Sequence, residues 1–193
     1  MKAFIVSLLL CTGIASAQQP PGAQFKGGVF DPPRPAPAFA LPASSGTQVR
    51  LADYRGKVVV LEFGFSHCPA VCPVSLASLA AARQQLGARG KDVQVLFITV
   101  DPARDTPERL RTYLAQFDPG FVGISGSEAQ IGQLLKDYGI SAAKYPIKGT
   151  YEYSMSHSSY LYFLDRQGRQ RAMMPFGRPA ADIAHDLAIL LNQ

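Results

Sequence analysis

Thiols are scarce in this chain, basic blocks and internal repeats are absent, and no apolar run is long enough to cross a bilayer. Three cysteines occur among 193 residues: Cys11, Cys68 and Cys72. The apolar stretch from Ala3 to Ile14 falls short of the roughly 20 residues a transmembrane helix needs, so no stable membrane span is expected. The formal net charge of +5 is spread over interspersed basic and acidic residues. Without a Lys/Arg-rich block this surplus reads as a solubility feature, and nucleic acid is not an expected partner.

What is present at the N-terminus reads as a leader. Lys2 supplies a positive start, residues 3–14 an apolar core, and Ala15-Ser16-Ala17 a small-residue cleavage signal ahead of Gln18, the pattern of a secretory signal peptide. This implies an exported protein, in the periplasm, or on the outer face of the inner membrane if the segment is retained. Lipid attachment at Cys11 is disfavoured because Leu10 is too large for the position before such a site. If Cys11 leaves with the leader, Cys68 and Cys72 remain, and an even pair in an exported protein suits a disulfide or a paired metal site. Residues 18–42, rich in Pro, Gly and Ala and including Asp31-Pro32-Pro33-Arg34-Pro35-Ala36-Pro37, cannot form helix or interior strand and read as a linker or extended lead-in. Residues 43–193 are expected to form one domain; about 176 residues remain after the leader, enough for a well-buried core.

From there the chain alternates strand and helix. The nearly continuous apolar run 58–65 suits a strand covered on both faces. Pro73 can open a helix whose apolar spacing runs from Val74 to Leu86 before Gly87 and Gly90. A second buried strand is expected at 93–100, and a helix from Asp105 to about Phe117, with Asp105 as N-cap and Glu108 closing a capping box. A short strand at 121–124, a helix at 128–138, strands at 159–165 and 170–174 joined by a turn at Gln167-Gly168, and a last helix at 180–191 complete the pattern. A β-α-β-α half followed by a β-hairpin and a terminal helix is an α/β thioredoxin-like fold with a central mixed sheet flanked by helices. The cysteine pair then falls where strand meets helix, at the end of the sheet where such folds bind and react.

With Pro73 opening the helix, Cys72 is expected at or next to the N-cap, where free N–H groups and the positive end of the dipole favour thiolates. Spacing of i and i+4 in a helix-like segment puts both sulfurs on one face, able to close a disulfide or grip one metal. His157, far along the chain before a predicted strand, is the third candidate. Two thiolates and an imidazole suit Cu(I), and with one more ligand or a water Cu(II); structural zinc is disfavoured because a fourth Cys or His is not evident. His157 without the cysteines would read as an ordinary hydrogen-bonded loop histidine. His67 reads as a neighbour that adds local charge, His185 as a helix-surface or packing residue, and Met155, Met173 and Met174 as packing, although Met155 offers a thioether two positions from His157.

Three segments together resemble the Sco/SenC family: Cys68-Pro69-Ala70-Val71-Cys72-Pro73 after a Phe-Gly-Phe-Ser-His strand end; Val100-Asp101-Pro102 through Asp105-Thr106-Pro107-Glu108; and His157-Ser158-Ser159 before a strand ending in Leu164-Asp165. The similarity runs from about residue 39 to 191. The resemblance implies a thioredoxin-like fold and copper, as Cu(I) or Cu(II), bound by Cys68, Cys72 and His157. It also implies a part in building the dinuclear copper site of cytochrome c oxidase. The implied partner is the copper-site subunit of a respiratory oxidase, with other copper chaperones or thiol oxidoreductases as further candidates. Many members carry an aspartate where this chain has Ala70, which puts affinity and redox preference in question while leaving all three ligands in place.

Two functions remain open. One is a metallochaperone that delivers copper and is not a turnover enzyme. The other is a thiol-disulfide oxidoreductase that uses Cys68 and Cys72 as a redox-active pair to reduce a partner's cysteines, one thiolate attacking and the other resolving. Three residues between the cysteines plus a remote histidine fit the metal better than the C-x-x-C usual in dedicated oxidoreductases of this fold. A peroxidase is weaker still, because Phe65 stands three positions ahead of Cys68 where such enzymes commonly carry Thr. Asp101 and Asp105 can shape the rim of the site or a partner surface, with helix capping the simpler role for Asp105.

Overall fold

A computed structural model describes residues 24–150 and 152–193. The expected signal segment 1–17, with Lys2, Cys11 and Ala15-Ser16-Ala17, lies outside the described residues, as do residues 18–23 and Tyr151. The centre of the molecule is the pair β4 (Val58–Gly64) and β5 (Val93–Thr99), parallel strands in which every residue is buried. Their near-unbroken Val, Leu, Ile and Phe content is what a strand covered on both faces requires. The crossover between them is α1 (Val71–Gln85), which packs against the terminal helix α4 (Ala180–Leu191).

Around this pair the sheet grows in both directions. Beyond β5 lies the parallel strand β6 (Val122–Ile124), reached through α2 (Pro107–Leu114), and α3 (Glu128–Asp137) comes after it. On the other side β9 (Tyr160–Leu164) pairs antiparallel with β4, and β10 (Arg169–Pro175) with β9. The outermost strand is β1 (Gly28–Pro35), which gives a six-stranded mixed sheet in the order β1-β10-β9-β4-β5-β6. Two small antiparallel pairs stand apart from it: β2 (Ala40–Pro42) with β3 (Gln48–Arg50), and β7 (Ala142–Pro146) with β8 (Tyr153–His157). This is the thioredoxin-like α/β architecture expected from the sequence. Among the described residues no helix is long and apolar enough to cross a membrane.

Four local expectations are corrected. Part of the supposed lead-in is a sheet strand. Proline is tolerated in β1 because the strand is at an edge and its register shifts between Val29 and Arg34, the interval holding Pro32 and Pro33. The same segment is tied to α4 through Asp186, whose carboxylate accepts from the amides of Lys26 (2.7 Å) and Gly27 (2.9 Å). A Cβ on Gly27 would stand 2.6 Å from the carbonyl oxygen of Met173, so only glycine allows this approach. Second, α1 opens at Val71, not beyond Pro73, with Ala70 as N-cap; proline fits inside the first turn because those N–H groups have no helical partner. Third, the N-cap of α2 is Thr106, whose hydroxyl accepts from the amide of Arg109 (3.2 Å), and the helix ends at Leu114, short of Phe117. Fourth, His157 does not lie on a loop; it ends β8, in a hairpin with β7 that the sequence pattern does not announce.

Candidate functional site

The site is assembled where β4 and β5 end. After Gly64 the chain turns through Phe65, Ser66, His67, Cys68, Pro69 and Ala70 into α1, and the amide of Cys68 donates to the carbonyl of Phe65 at 3.2 Å. Gly64 makes room for the turn: a Cβ there would meet the Phe97 ring at 2.8 Å and the Cys72 sulfur at 3.0 Å. Ala70 has no side chain able to cap α1. The sulfur of Cys68 takes that role, accepting from the amide of Cys72 at 3.4 Å. A sulfur at a helix start favours the thiolate.

The two thiols, both free, are therefore inequivalent. Hydrogen bonding from the Cys72 side chain, reinforced by the amides of Cys72, Ala70 and Val71, lowers the Cys68 thiol to about 5 against the opposing effect of burial. Cys72, fully buried, is pushed strongly up by sharing its proton with Cys68 and by burial. The two shifts run in opposite directions, so the thiolate is favoured on Cys68 and the proton on Cys72.

The imidazole of His157 arrives from the end of β8. Its Nε2 lies 4.0 Å from the sulfur of Cys72, and its Nδ1 lies 3.0 Å from the carbonyl oxygen of Ser158. A carbonyl only accepts, so Nδ1 carries a proton, and Nε2 is the ring nitrogen that faces the sulfur. The ring sits edge-on between Phe65 (centroids 5.9 Å) and Phe176 (6.3 Å), which fixes its plane.

Ser66, two positions before Cys68, is anchored on Asp105. This carboxylate is fully buried and accepts from the amide of Ser66 (3.0 Å), its hydroxyl (2.6 Å) and the hydroxyl of Thr99 (2.7 Å). Arg109 adds a bond from Nε to the Ser66 hydroxyl at 3.1 Å. Asp105 is thus not the cap of α2 but the internal support of the cysteine loop. The sequence carries a signal for this: Thr106 directly before Pro107 is the better cap pattern, which leaves Asp105 free for another role. His67 faces this carboxylate beside the loop, its Nδ1 3.8 Å away.

Beneath the loop lies a group that sequence reasoning passes over. Glu62, the one acid in β4, is fully buried, and neither carboxyl oxygen has a hydrogen-bond partner; the hydroxyls of Ser75 and Tyr113 are likewise buried without one. Burial pushes its carboxyl well above the usual range, and the Cys68 charge adds to it. The remaining candidates behave as packing groups. Met155 and Met174 are buried in the core and Met173 packs against it. His185 contacts the carboxylate of Asp186 at 3.0 Å.

Among the described residues no three His, Cys, Asp or Glu side chains form a ready-made metal cage. The donors that meet are Cys72 and His157. Two ligands of one ion with bonds of about 2.0–2.3 Å stand about 3.6 Å apart at a tetrahedral angle and about 4.3 Å apart when linear, a range that includes their 4.0 Å separation. Cys68 lies one turn earlier, its sulfur 3.4 Å from the Cys72 amide. Two thiols and an imidazole form a soft donor set.

The family model described as SCO1/SenC matches residues 31–192. The protein described as SCO2 homolog, mitochondrial, from Bos taurus is 40% identical over 119 residues, 61% of this chain and 45% of that protein. The chain spans about half the length of such curated mitochondrial relatives. Among solved structures, Bradyrhizobium japonicum ScoI with copper bound is 35% identical with a TM-score of 0.74, covering 81% of this chain and 99% of that one. Yeast Sco1 with copper bound is 28% identical with a TM-score of 0.74, covering 83% and 90%.

Proposed function

Because the chain belongs to the SCO1/SenC family, we propose that it is an exported copper-binding assembly factor that holds copper with Cys68, Cys72 and His157 and delivers it to, or prepares, the dinuclear copper site of cytochrome c oxidase. The observation that carries this reading is the His157 Nε2 lying 4.0 Å from the Cys72 sulfur. Nothing in a purely redox dithiol requires an imidazole placed in this way. In this reading the Cys68 thiolate meets an incoming ion, Cys72 gives up its proton as it becomes a ligand, and His157 adds its Nε2. Two thiolates satisfy Cu(I); the imidazole adds the nitrogen that Cu(II) favours. The recipient in this reading is the copper-site subunit of a respiratory oxidase, met in the periplasm or at the outer face of the inner membrane.

The deciding experiment is titration of the reduced protein with Cu(I) in competition with a chromogenic chelator, beside the Cys68→Ser/Cys72→Ser double variant. One-to-one binding lost in the variant supports the reading; binding unchanged by loss of both thiols refutes it. His157→Ala is expected to weaken Cu(II) more than Cu(I).

The inequivalence of the thiols favours a second reading, a thiol-disulfide oxidoreductase in which Cys68 attacks and Cys72 resolves. A thiolate beside a buried thiol is the arrangement such exchange uses. Alkylation of Cys68 with a midpoint near pH 5 would establish the thiolate. A reduction potential below about −300 mV, typical of structural disulfides, would rule the redox role out.

A further inference from the structure

The hairpin that carries His157 has no strand pairing with the central sheet among the described residues; at its His157 end the chain runs on toward β9 and the imidazole lies between Phe65 and Phe176. At Tyr153 the hairpin meets a cluster at the end of β5. Tyr153, at the start of β8, donates its hydroxyl to Asp101 at 2.7 Å. Arg104 lies over the Tyr153 ring, its guanidinium carbon 3.8 Å from the centroid, donates to the Tyr153 carbonyl at 2.9 Å and pairs through Nε with Asp101. Asp101 is fully buried, and its amide donates to the Thr99 hydroxyl at 2.9 Å. That same hydroxyl donates to Asp105, the carboxylate that holds Ser66 and with it the cysteine loop. Two buried aspartates joined through one threonine hydroxyl thus brace both halves of the site on the end of one strand.

We infer that Asp101, Arg104 and Tyr153 form a latch that positions His157 against Cys72 and so controls the imidazole ligand separately from the thiol pair. None of the three touches the sulfurs or the imidazole; they are positioning residues. The latch grips the hairpin at Tyr153, and from there β8 runs four residues to His157. Releasing it leaves Cys68 and Cys72, held by β4, α1 and Asp105, where they were. The consequence is a split by oxidation state: the ion satisfied by two thiolates is retained, and the ion that needs nitrogen is lost.

The copper part of this inference rests on the proposed function, so its test has a metal-free arm. Tyr153→Phe, which removes only the hydroxyl, and Arg104→Gln are compared with the unaltered full chain. In the absence of metal, amide hydrogen exchange at residues 153–157 is expected to accelerate about tenfold in Arg104→Gln, less in Tyr153→Phe, with β4 and β5 unchanged. With metal, Cu(II) affinity and the thiolate-to-Cu(II) absorption are expected to fall, affinity by about tenfold to a hundredfold as for other residues that orient a ligand. Cu(I) affinity should stay within about twofold. In a His157→Ala background the latch variants should change Cu(II) binding no further. Unchanged exchange in the hairpin overturns the latch, as does a parallel fall of both copper affinities with loss of protection across the whole sheet. If the unaltered chain binds no copper, the copper reading fails and the exchange arm alone decides the latch.

Discussion

The cysteines leave β4, a strand with every residue buried, and enter α1 within a short turn, whereas His157 reaches the same spot on a hairpin whose β7 is exposed at all but its first residue. The first region is built into the core: Gly64 admits the Cys72 sulfur, Asp105 ties down Ser66, and Phe65 packs beneath. The second is held by a few side chains at the end of β5. A ligand set split in this way has a fixed half and an adjustable half, and the two halves respond to different substitutions.

The sharpest way to break the fixed half is Asp105→Ala. It strips partners from the Ser66 amide, the Ser66 hydroxyl and the Thr99 hydroxyl. Each buried donor left unpaired costs about 1–3 kcal/mol, so with some relaxation a loss of roughly 3–5 kcal/mol is expected by chemical denaturation. Asp105→Asn, which keeps one acceptor, should lose less. A loss below about 1 kcal/mol in the alanine variant would mean that the loop does not depend on this carboxylate.

That dependence marks where sequence reading stops. Buried strands and periodic helices announce themselves because the pattern that identifies them is the cause of their burial; the run at β4, the spacing of α3 and α4, and a cysteine pair at a strand–helix junction are all legible. Asp105 reads as a local cap because capping is a local rule, while its true partner, Ser66, lies far away in the chain. The hairpin of β7 and β8 escapes the pattern for a related reason. Ala-Ala-Lys-Tyr-Pro shows no alternation, and although Tyr-Ser-Met-Ser-His alternates with Ser, only Met155 of the ten is buried. Strands so little buried are specified by partners, not by pattern. His157 is identified by its type and its resemblance, not by its element.

A smaller effect is expected from Gly64→Ala, which tests how tightly the fixed half is packed. The added methyl would press on the Phe97 ring at 2.8 Å and on the Cys72 sulfur at 3.0 Å. Overpacking of this kind costs about 1–3 kcal/mol. Denaturation should show that loss together with a faster reaction of Cys72 with alkylating agents as its sulfur is displaced. Unchanged stability and reactivity would show that the loop yields freely.

Glu62 gives a test by pH. Folding raises its carboxyl well above the ordinary value near 4.5. The unfolded chain releases the proton first as pH rises, and stability therefore falls from about pH 4.5 upward until the folded-state carboxyl ionises. Glu62→Gln removes that titration. The variant should match the parent near pH 4.5 and exceed it in thermal midpoint at pH 8. Equal differences at both pH values would show that shape and not charge is responsible.

The least effect is expected on the outer face of the adjustable half. Lys144, on β7, reaches Glu128 at 3.3 Å and lies 5.1 Å from the centre of the Tyr153 ring. Both members of the ion pair are solvent-exposed, at 49% and 72% of their side-chain surface. Screening leaves such a pair about 0.2–1 kcal/mol at most, and the cation over the ring adds no more than a similar amount. Lys144→Ala should therefore change stability by less than about 1 kcal/mol and leave hydrogen exchange at residues 153–157 as it was. Arg104 lies nearer the same ring, 3.8 Å from its centre, with its charge already paired with Asp101. If Lys144→Ala loosened the hairpin as much as Arg104→Gln, the imidazole would be held by diffuse positive charge around Tyr153 and not by the buried latch.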